Sequence, residues 1–338
     1  MQIFRYNDGV LANTILLLYL TVGTVVAVAL LADISLALDN GMAAGVAVLT
    51  IIIATLALAH LMILAAYLTH ECMHNTVFKK PAHNDYLGNL IAWLLGAGYL
   101  PYKMLKDKHL RHHTERRDVL ALDYRQLLKK YQLWRTIISI GQWCHIPAAE
   151  LFSHGLSVCS PFFLRQKRQW RRRVVFVAIS RLVFFLLLYF VNPALLIAYV
   201  MASVICIAVL GFMDAYQHTY DIVLNLDDGK SPPDQDRVYE EAHTFSNLLS
   251  HKLPWLNLLV LNFCYHNVHH WKSGEPWYRL PRLHRQRYPD GSAQEIPFVE
   301  QWHNYHSHRV ARIDWQVDRN EQQVQAIGAS GVSFLVGV

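Results

Sequence analysis

The chain has 338 residues, 53% of them hydrophobic, and a positive mean hydropathy, so it can bury a large core, and its long apolar runs need lipid for part of that burial. The net charge of +6 does not signal nucleic acid, because the Lys and Arg residues lie beside apolar spans, where the positive-inside rule places them. Five scattered cysteines, without a C-x-x-C pair, exclude a disulfide framework and a thiolate zinc site.

Residues 11–32 are an apolar run of bilayer-spanning length behind a short end that carries only Arg5 and Asp8. A cleaved signal peptide would have a shorter apolar part and a more basic end, so the run is predicted to be a retained span. Residues 33–40 hold acid but no Lys or Arg, as non-cytoplasmic loops do. Residues 42–68 are the second predicted span and deliver His70 and His74 at their far end. A helix continuing through that point stacks the two imidazoles one turn apart. His60, inside the span, reads as a packed core histidine.

Residues 79–173 are rich in Lys and Arg, ending in RQKRQWRRR from Arg165 to Arg173, and are predicted to be cytoplasmic. Within them, residues 87–100 are apolar but too short to span, which predicts a re-entrant or interfacial helix. Residues 174–191 and 193–213 are the third and fourth spans, joined by the uncharged turn Asn192-Pro193. Arg181, in the third, must snorkel or face the protein interior. Residues 227–236 read as a polar loop, and residues 254–265 as another apolar run too short to span. The predicted fold is an all-α integral membrane protein, one domain over residues 1–338, with four transmembrane helices. A cytoplasmic helical cap of residues 69–173 and 214–300 sits on them, followed by a tail of residues 301–338. Both termini fall on the cytoplasmic side with the cap.

That topology collects the histidines. His109, His112 and His113 form H-x-x-H-H, as do His266, His269 and His270, and His70 and His74 form a looser H-x-x-x-H. At this histidine content H-x-x-H-H is expected about 0.06 times per chain, so two copies are not accidental, whereas H-x-x-x-H is expected about once. Eight clustered histidines, with His218 as a ninth, exceed what one metal takes and predict two metals. Nitrogen donors without thiolate suit iron, copper or zinc, and spacing does not choose among them. A substrate living in lipid is apolar, and attack on an unactivated C–H bond calls for an oxygen-derived oxidant on a metal, which favours iron.

HECMH, HLRHH and HNVHH, in that order and after paired spans, resemble the three histidine boxes of the membrane fatty acid desaturase superfamily, whose members include hydroxylases. The stretch LVLNFCYHNVHHWKSGEPWYRLPRLH resembles that family's end region, and YQHTYD around His218 its segment with an additional metal ligand. The resemblance covers about residues 45–290. It implies a di-iron centre held by His70, His74, His109, His112, His113, His218, His266, His269 and His270. It further implies dioxygen activation with two electrons from a separate donor such as ferredoxin, rubredoxin or cytochrome b5, and a fatty acyl substrate between the spans. Desaturation is the reading adopted; hydroxylation, or decarboxylation to a terminal alkene, would use the same ligands. After the second box the chain continues as TERRDVLALD, without the Asn and Asp-Pro pattern common in many desaturases, which leaves subfamily and substrate open. There is no H-P-G-G stretch and no glycine-rich dinucleotide fingerprint, so the electrons are expected from another protein.

Rival readings attach to single residues. His243 competes with His218 for the ninth position. Glu71 either orients an imidazole or lies on the surface, and Asn262 either holds a metal-bound water or serves as a cap or core residue. The E-x-x-H pairs Glu71–His74 and Glu240–His243 raise a ferritin-like carboxylate site, which needs two more inward Glu that the spans do not hold. Haem would leave the adjacent pairs His112-His113 and His269-His270 unexplained. A membrane metal carrier or sensor, the non-enzyme alternative, would keep polar residues deep in its spans, where only His60 and Arg181 qualify. His303, His306 and His308 read as a solvated tail, the Arg165–Arg173 run as a topology determinant, and residues 328–338 receive no assignment.

Overall fold

The computed structural model describes residues 2–220, 223–229, 236–314, 328, 329 and 335. Asp221, residues 230–235 of the expected polar loop and most of residues 315–338 lie outside the described residues. Two helices, α1 (Val10–Ala32) and α2 (Ala44–Met73), are apolar on every side, as helices lying in lipid are. Beyond them come α3 (Pro81–Leu94), α4 (Tyr102–Glu115), α5 (Gln132–Trp143) and α6 (Ala148–Phe163), none long enough to cross. The chain then returns through α7 (Arg171–Val191) and α8 (Pro193–Asp214), the latter capped by the Asn192 side chain, which accepts from the Ala194 N–H. Among the described residues four helices are therefore long and apolar enough to span, with α2 and α8 the more buried pair. Among the described residues after α8 the α-helices are short: α9 (Arg237–Ala242), α10 (His266–Trp271), α11 (Leu280–Arg287) and α12 (Phe298–Ser307).

The second span does run on as a helix through its histidines. It stops at Asn75, whose φ of 56° is left-handed. The Asn75 N–H donates to Cys72 O and the Thr76 N–H to Glu71 O, both at 3.1 Å, so the final carbonyls are satisfied and the last turn, carrying His70 and His74, is held rigid. At the end of α4, Arg116 adopts φ 51° and turns the chain back into β1 (Asp118–Leu120). That strand pairs in parallel with β2 (Val223–Asn225), in the register Asp118 to Val223. A bridge between His218 and Thr244, with the Phe245 N–H donating to Gln217 O at 2.8 Å, pins the segment after α8 against the same region. Leu261 and Asn262 take φ 49° and 59°, two left-handed residues in succession, and aim the chain into α10.

The apolar stretch expected to be re-entrant or interfacial ends α3, which packs against α2. Its C-terminal carbonyls are capped from the third span: Arg181 Nη1 donates to Trp93 O at 3.0 Å and Leu94 O at 3.1 Å. The guanidinium lies over the rings of Trp93, Phe184, Phe185 and Tyr199 at 4.8–5.7 Å, so Arg181 faces the protein interior rather than snorkelling. Arg181→Ala strands the Trp93 carbonyl, Leu94 O keeping the Tyr199 hydroxyl, and is expected to cost about 1–3 kcal/mol, read as a lower melting temperature in detergent, with Arg181→Lys retaining part of the loss. An unchanged melting temperature for the Ala variant would remove the capping role.

Three elements add to or depart from the sequence expectation. In the Arg165–Arg173 run, Lys167 is buried, donating to Ala121 O at 3.3 Å and paired with Asp227 at 3.1 Å, so one member of the run also ties distant segments together. The helix α5 presents Leu133, Ile137 and Ile140 outward at i, i+4 and i+7, flanked by exposed Trp134 and Trp143; the sequence reading did not single out this apolar face. The expected solvated tail begins instead as α12, docked on α8. Phe298, Trp302 and Tyr305 set their rings 5.0–5.9 Å from Phe212, and Gln301 Nε2 donates to Phe212 O at 2.6 Å. An aromatic face at i, i+4 and i+7 explains the docking, and attention to the histidines had obscured it.

Candidate metal centre

The three histidine-bearing helix ends, α2, α4 and α10, meet with the His218 segment at one end of the bundle. Nine imidazoles converge there in two groups. In one, nitrogen atoms of His70, His74, His109, His113 and His269 all lie within 4.8 Å of one another; in the other, the same holds for His112, His218, His266 and His270. Each group contains enough donors to hold a metal ion.

The division follows from helical geometry. Residues i and i+4 point nearly the same way, whereas i+3 and i+4 diverge by about 100° around the axis. On α4 the pair His109 and His113 serves the first group, and His112 turns to the second. On α10 the assignment is reversed: His266 and His270 serve the second group and His269 crosses to the first. The H-x-x-H-H pattern therefore does not aim three rings at one point; each copy feeds both groups. His70 and His74 join the first group alone, and His218 the second.

The ring nitrogens that face each other stand at close range. His74 Nε2 is 2.7 Å from His109 Nε2, and His113 Nε2 lies 3.1 Å from both His109 Nε2 and His269 Nε2. In the second group, His218 Nε2 lies 3.0 Å from His266 Nε2 and 3.1 Å from His270 Nε2, with His112 Nε2 3.3 Å from His270 Nε2. His112 Nδ1 sits 2.9 Å from Arg117 O, which can only accept, so the proton is on Nδ1 and Nε2 presents a lone pair. His270 Nδ1, 3.0 Å from Glu240 Oε1, is fixed in the same tautomer. As neutral rings these two therefore point lone pairs at each other, an arrangement that a cation between them resolves. Donors about 2.1 Å from a common centre and at right angles are about 3.0 Å apart, the spacing seen here.

Carboxylates stand behind the imidazoles. Glu71, one of the rival pair of readings, is buried rather than on the surface; its Oε1 lies 3.8 Å from His70 Nδ1, and its Oε2 accepts from Thr76 Oγ1 at 2.6 Å and from the Trp277 N–H at 3.1 Å. Glu240 does not pair with His243 as a ferritin-like motif would; it accepts from His270 Nδ1 and is paired with Arg116 at 3.1 Å. Asp118, which the sequence reading missed, has Oδ1 3.5 Å from His112 Nδ1 and 3.8 Å from His218 Nδ1. It lies in the DVLALD stretch that departs from the family pattern, and an acid six residues after His112 was the available signal. His243 stays outside both groups, its ring stacked on Tyr239 at 3.9 Å and its Nδ1 2.8 Å from Tyr239 O. His60 is likewise apart, half-buried between α1 and α2 with Nδ1 3.1 Å from Oη of the exposed Tyr19. Asn262 donates through Nδ2 to Trp277 O at 3.2 Å, and its left-handed backbone accounts for the residue type.

Burial, reinforced by the neighbouring imidazoles, holds His109, His113, His218, His266 and His269 well below the ordinary histidine value, and His112 at about 3. These six rings are therefore neutral, the form a metal takes. Burial pushes Asp118 up to about 7 against the pull of Arg125, and draws Lys108 down to about 7 against Asp214 and Asp118. Burial also pushes Glu240 upward, but the hydrogen bond from His270 and the Arg116 guanidinium keep it below the usual carboxylate value. A cavity of about 40 Å³ opens beside the groups, lined by His109, His112, His218 and His266 together with Lys108, Asp118 and Asp214. It has room for a molecule the size of water, not for a chain.

Glu240→Ala leaves the imidazoles in place but frees the His270 tautomer and rotamer. It is expected to weaken metal retention about 10- to 100-fold, measured by competition against a chelator, with Glu240→Gln intermediate; equal retention in all three proteins would exclude the orienting role.

Comparison with known proteins adds the remaining observation. The model of the family described as fatty acid desaturase matches residues 44–302, a stretch that contains every residue of both donor groups. No curated protein matches the chain. With more than half of its length accounted for by that model, four apolar helices and a histidine cluster able to bind metal, the chain belongs to the fatty acid desaturase family.

Proposed function

We propose that the protein is a membrane-bound, oxygen-dependent fatty acyl desaturase, one domain whose cap and termini face the cytoplasm. The observation that carries this reading is the partition of nine buried imidazoles into two adjacent donor groups of five and four. His70, His74, His109, His113 and His269 would hold one iron, and His112, His218, His266 and His270 the other. The lone pairs of His112 and His270 that face each other in the second group, and the close-set ring nitrogens of the first, fit a cation in both places. When bound, the two irons supply activation of dioxygen, with two electrons from a separate donor protein, and removal of two hydrogens from an acyl chain.

The chain's own groups set the conditions for that chemistry. Glu240 and the Arg117 carbonyl fix ring orientation by accepting from Nδ1 of His270 and His112, which leaves each Nε2 lone pair for a metal. Lys108, Asp118 and Asp214 give the small cavity a polar wall on which a proton can be held or passed. Phe263, packed 4.8 Å from the His70 ring and 5.0 Å from the His266 ring, lines the same cavity and excludes water from one side.

Two measurements test the proposal. Elemental analysis of the purified protein should find two irons per chain; zinc alone, or a single haem, would end it. Supplied with labelled acyl chains and a reducing system, the enzyme should yield products lighter by two hydrogens. Products heavier by one oxygen would assign a hydroxylase, and loss of the carboxyl carbon a decarboxylase.

A further inference from the structure

The depth of α5 is set by α6. Near its start α6 packs the Glu150 side chain against Gly211, in the last turn of α8. At its other end the Pro161 and Phe162 carbonyls accept from the Arg171 guanidinium at 2.8 and 3.0 Å, where α7 begins. The start of α7 and the end of α8 lie at one end of the bundle, because Asn192 joins the opposite ends, and α8 leads from there to His218. A helix that rests on the same end of two spans lies along the membrane plane. The next helix shares that plane: α5 packs antiparallel on α6, with the Trp134 ring 5.5 Å from Phe152 and Ile138 in one buried cluster with Ala149.

At about 100° per residue the surface of α5 divides into three sectors. Ile138 and Gln142 are buried against the protein. Leu133, Ile137 and Ile140 form an exposed apolar sector, and Gln132, Arg135 and Thr136 an exposed polar one. Trp134 and Trp143, both exposed, stand at the two edges of the apolar sector, as aromatic residues do where hydrocarbon meets water. An apolar face of this kind marks an interaction surface. Two features identify what it meets. Exposed Phe162 and Phe163 close α6 beside the start of α7, whose exposed Val175, Phe176 and Ile179 continue down the span, so the face of α5 sits at the level where the lipid-facing surface begins. Residues 124–149 contain no Asp or Glu, and Lys129 and Lys130 are exposed just ahead of α5, a composition that suits a headgroup layer. We propose that α5 is an interfacial helix of the leaflet at the donor-group end, with Leu133, Ile137 and Ile140 sunk into the top of the acyl region and its cations among the headgroups. This placement holds whichever reaction the metal centre catalyses.

The test is spin-label paramagnetic resonance on the full chain in nanodiscs of mixed phosphatidylglycerol and phosphatidylcholine. In a background where exposed Cys144 and Cys159 are changed to Ser, leaving only buried cysteines, Ile137→Cys and Ile140→Cys are each labelled with a nitroxide. Ile179→Cys on the third span and Lys272→Cys on the cap, both at exposed positions, supply the hydrocarbon and water references. Collision with oxygen, which concentrates in hydrocarbon, is compared with collision with a water-confined nickel chelate. Labels at positions 137 and 140 should meet oxygen more than nickel, at a depth of about 5–10 Å below the phosphates. Leu133→Cys, labelled likewise, gives the same reading should one of the two proteins fail to fold. Nickel contact equal to that of the Lys272→Cys label would put α5 in water, and exclusion of both reagents would show the face covered by another segment of this chain or a second copy. Either result overturns the proposal.

Discussion

Replacing His266 by Ala is expected to lower the iron content from two per chain to about one and to bring desaturation below about one-hundredth of the parent level, beyond the loss typical of an outer-sphere partner. His266 lies in the second donor group only, so the first group keeps all five of its nitrogens. His109→Ala strikes the opposite side: it removes a donor from the first group and leaves the second with four. The two variants should therefore show equally low activity but different spectra for the metal that remains. His243→Ala, just outside the cluster, is the control and should keep both irons. A His266→Ala protein with two irons and full turnover would dismantle the proposed centre, and so would loss of iron on changing His243.

Acidification is the second large effect. His109, His112, His113, His218, His266 and His269 all have folded values below the ordinary histidine value, through burial first and then through one another. An unfolded chain takes up protons near pH 6.5 that the folded chain refuses. The stability these rings contribute is thus complete above about pH 6.5 and is lost as pH falls from there toward the folded values, of which His112 stands at about 3. Each ring contributes at most about 1.4 kcal/mol per pH unit, and protons displace a bound metal in the same direction. The melting temperature of the purified protein should therefore fall steeply between pH 7 and pH 5, with metal released in parallel. A flat melting temperature across that interval would show that the rings are solvated or charged.

The spans were legible because lipid imposes one composition on about 20 consecutive residues. The expected limits 11–32, 42–68, 174–191 and 193–213 fall within a few residues of Val10–Ala32, Ala44–Met73, Arg171–Val191 and Pro193–Asp214 at every end but one. The exception is the end of the second span, where lipid no longer sets the composition and the helix runs on to place His70 and His74. The histidine boxes were legible as spacing. Their division between two groups was not, because it depends on the left-handed residues Asn75, Arg116, Leu261 and Asn262, which set the angle at which each helix end meets the others. Glu240 and Asp118 were obscured for a related reason. Glu240 reaches His270 across 30 residues of chain, and its local spacing to His243 suggested a different partner. The amphipathic α5 escaped because a helix of 12 residues has no length signature in a membrane chain.

The crossing of each H-x-x-H-H helix between the two donor groups bears on how the centre is assembled. Since α4 and α10 both contribute to each group, neither helix can settle into place for one metal without positioning donors for the other. In the proposed two-metal centre the first ion to bind would bear the ordering cost of both helices, and the second would find its nitrogens already gathered. Loading should accordingly be cooperative, with sigmoidal uptake and few singly occupied chains at half saturation. Such a protein passes from empty to full with little time as a one-metal species, the form in which a lone redox-active ion would be free to react with oxygen unproductively.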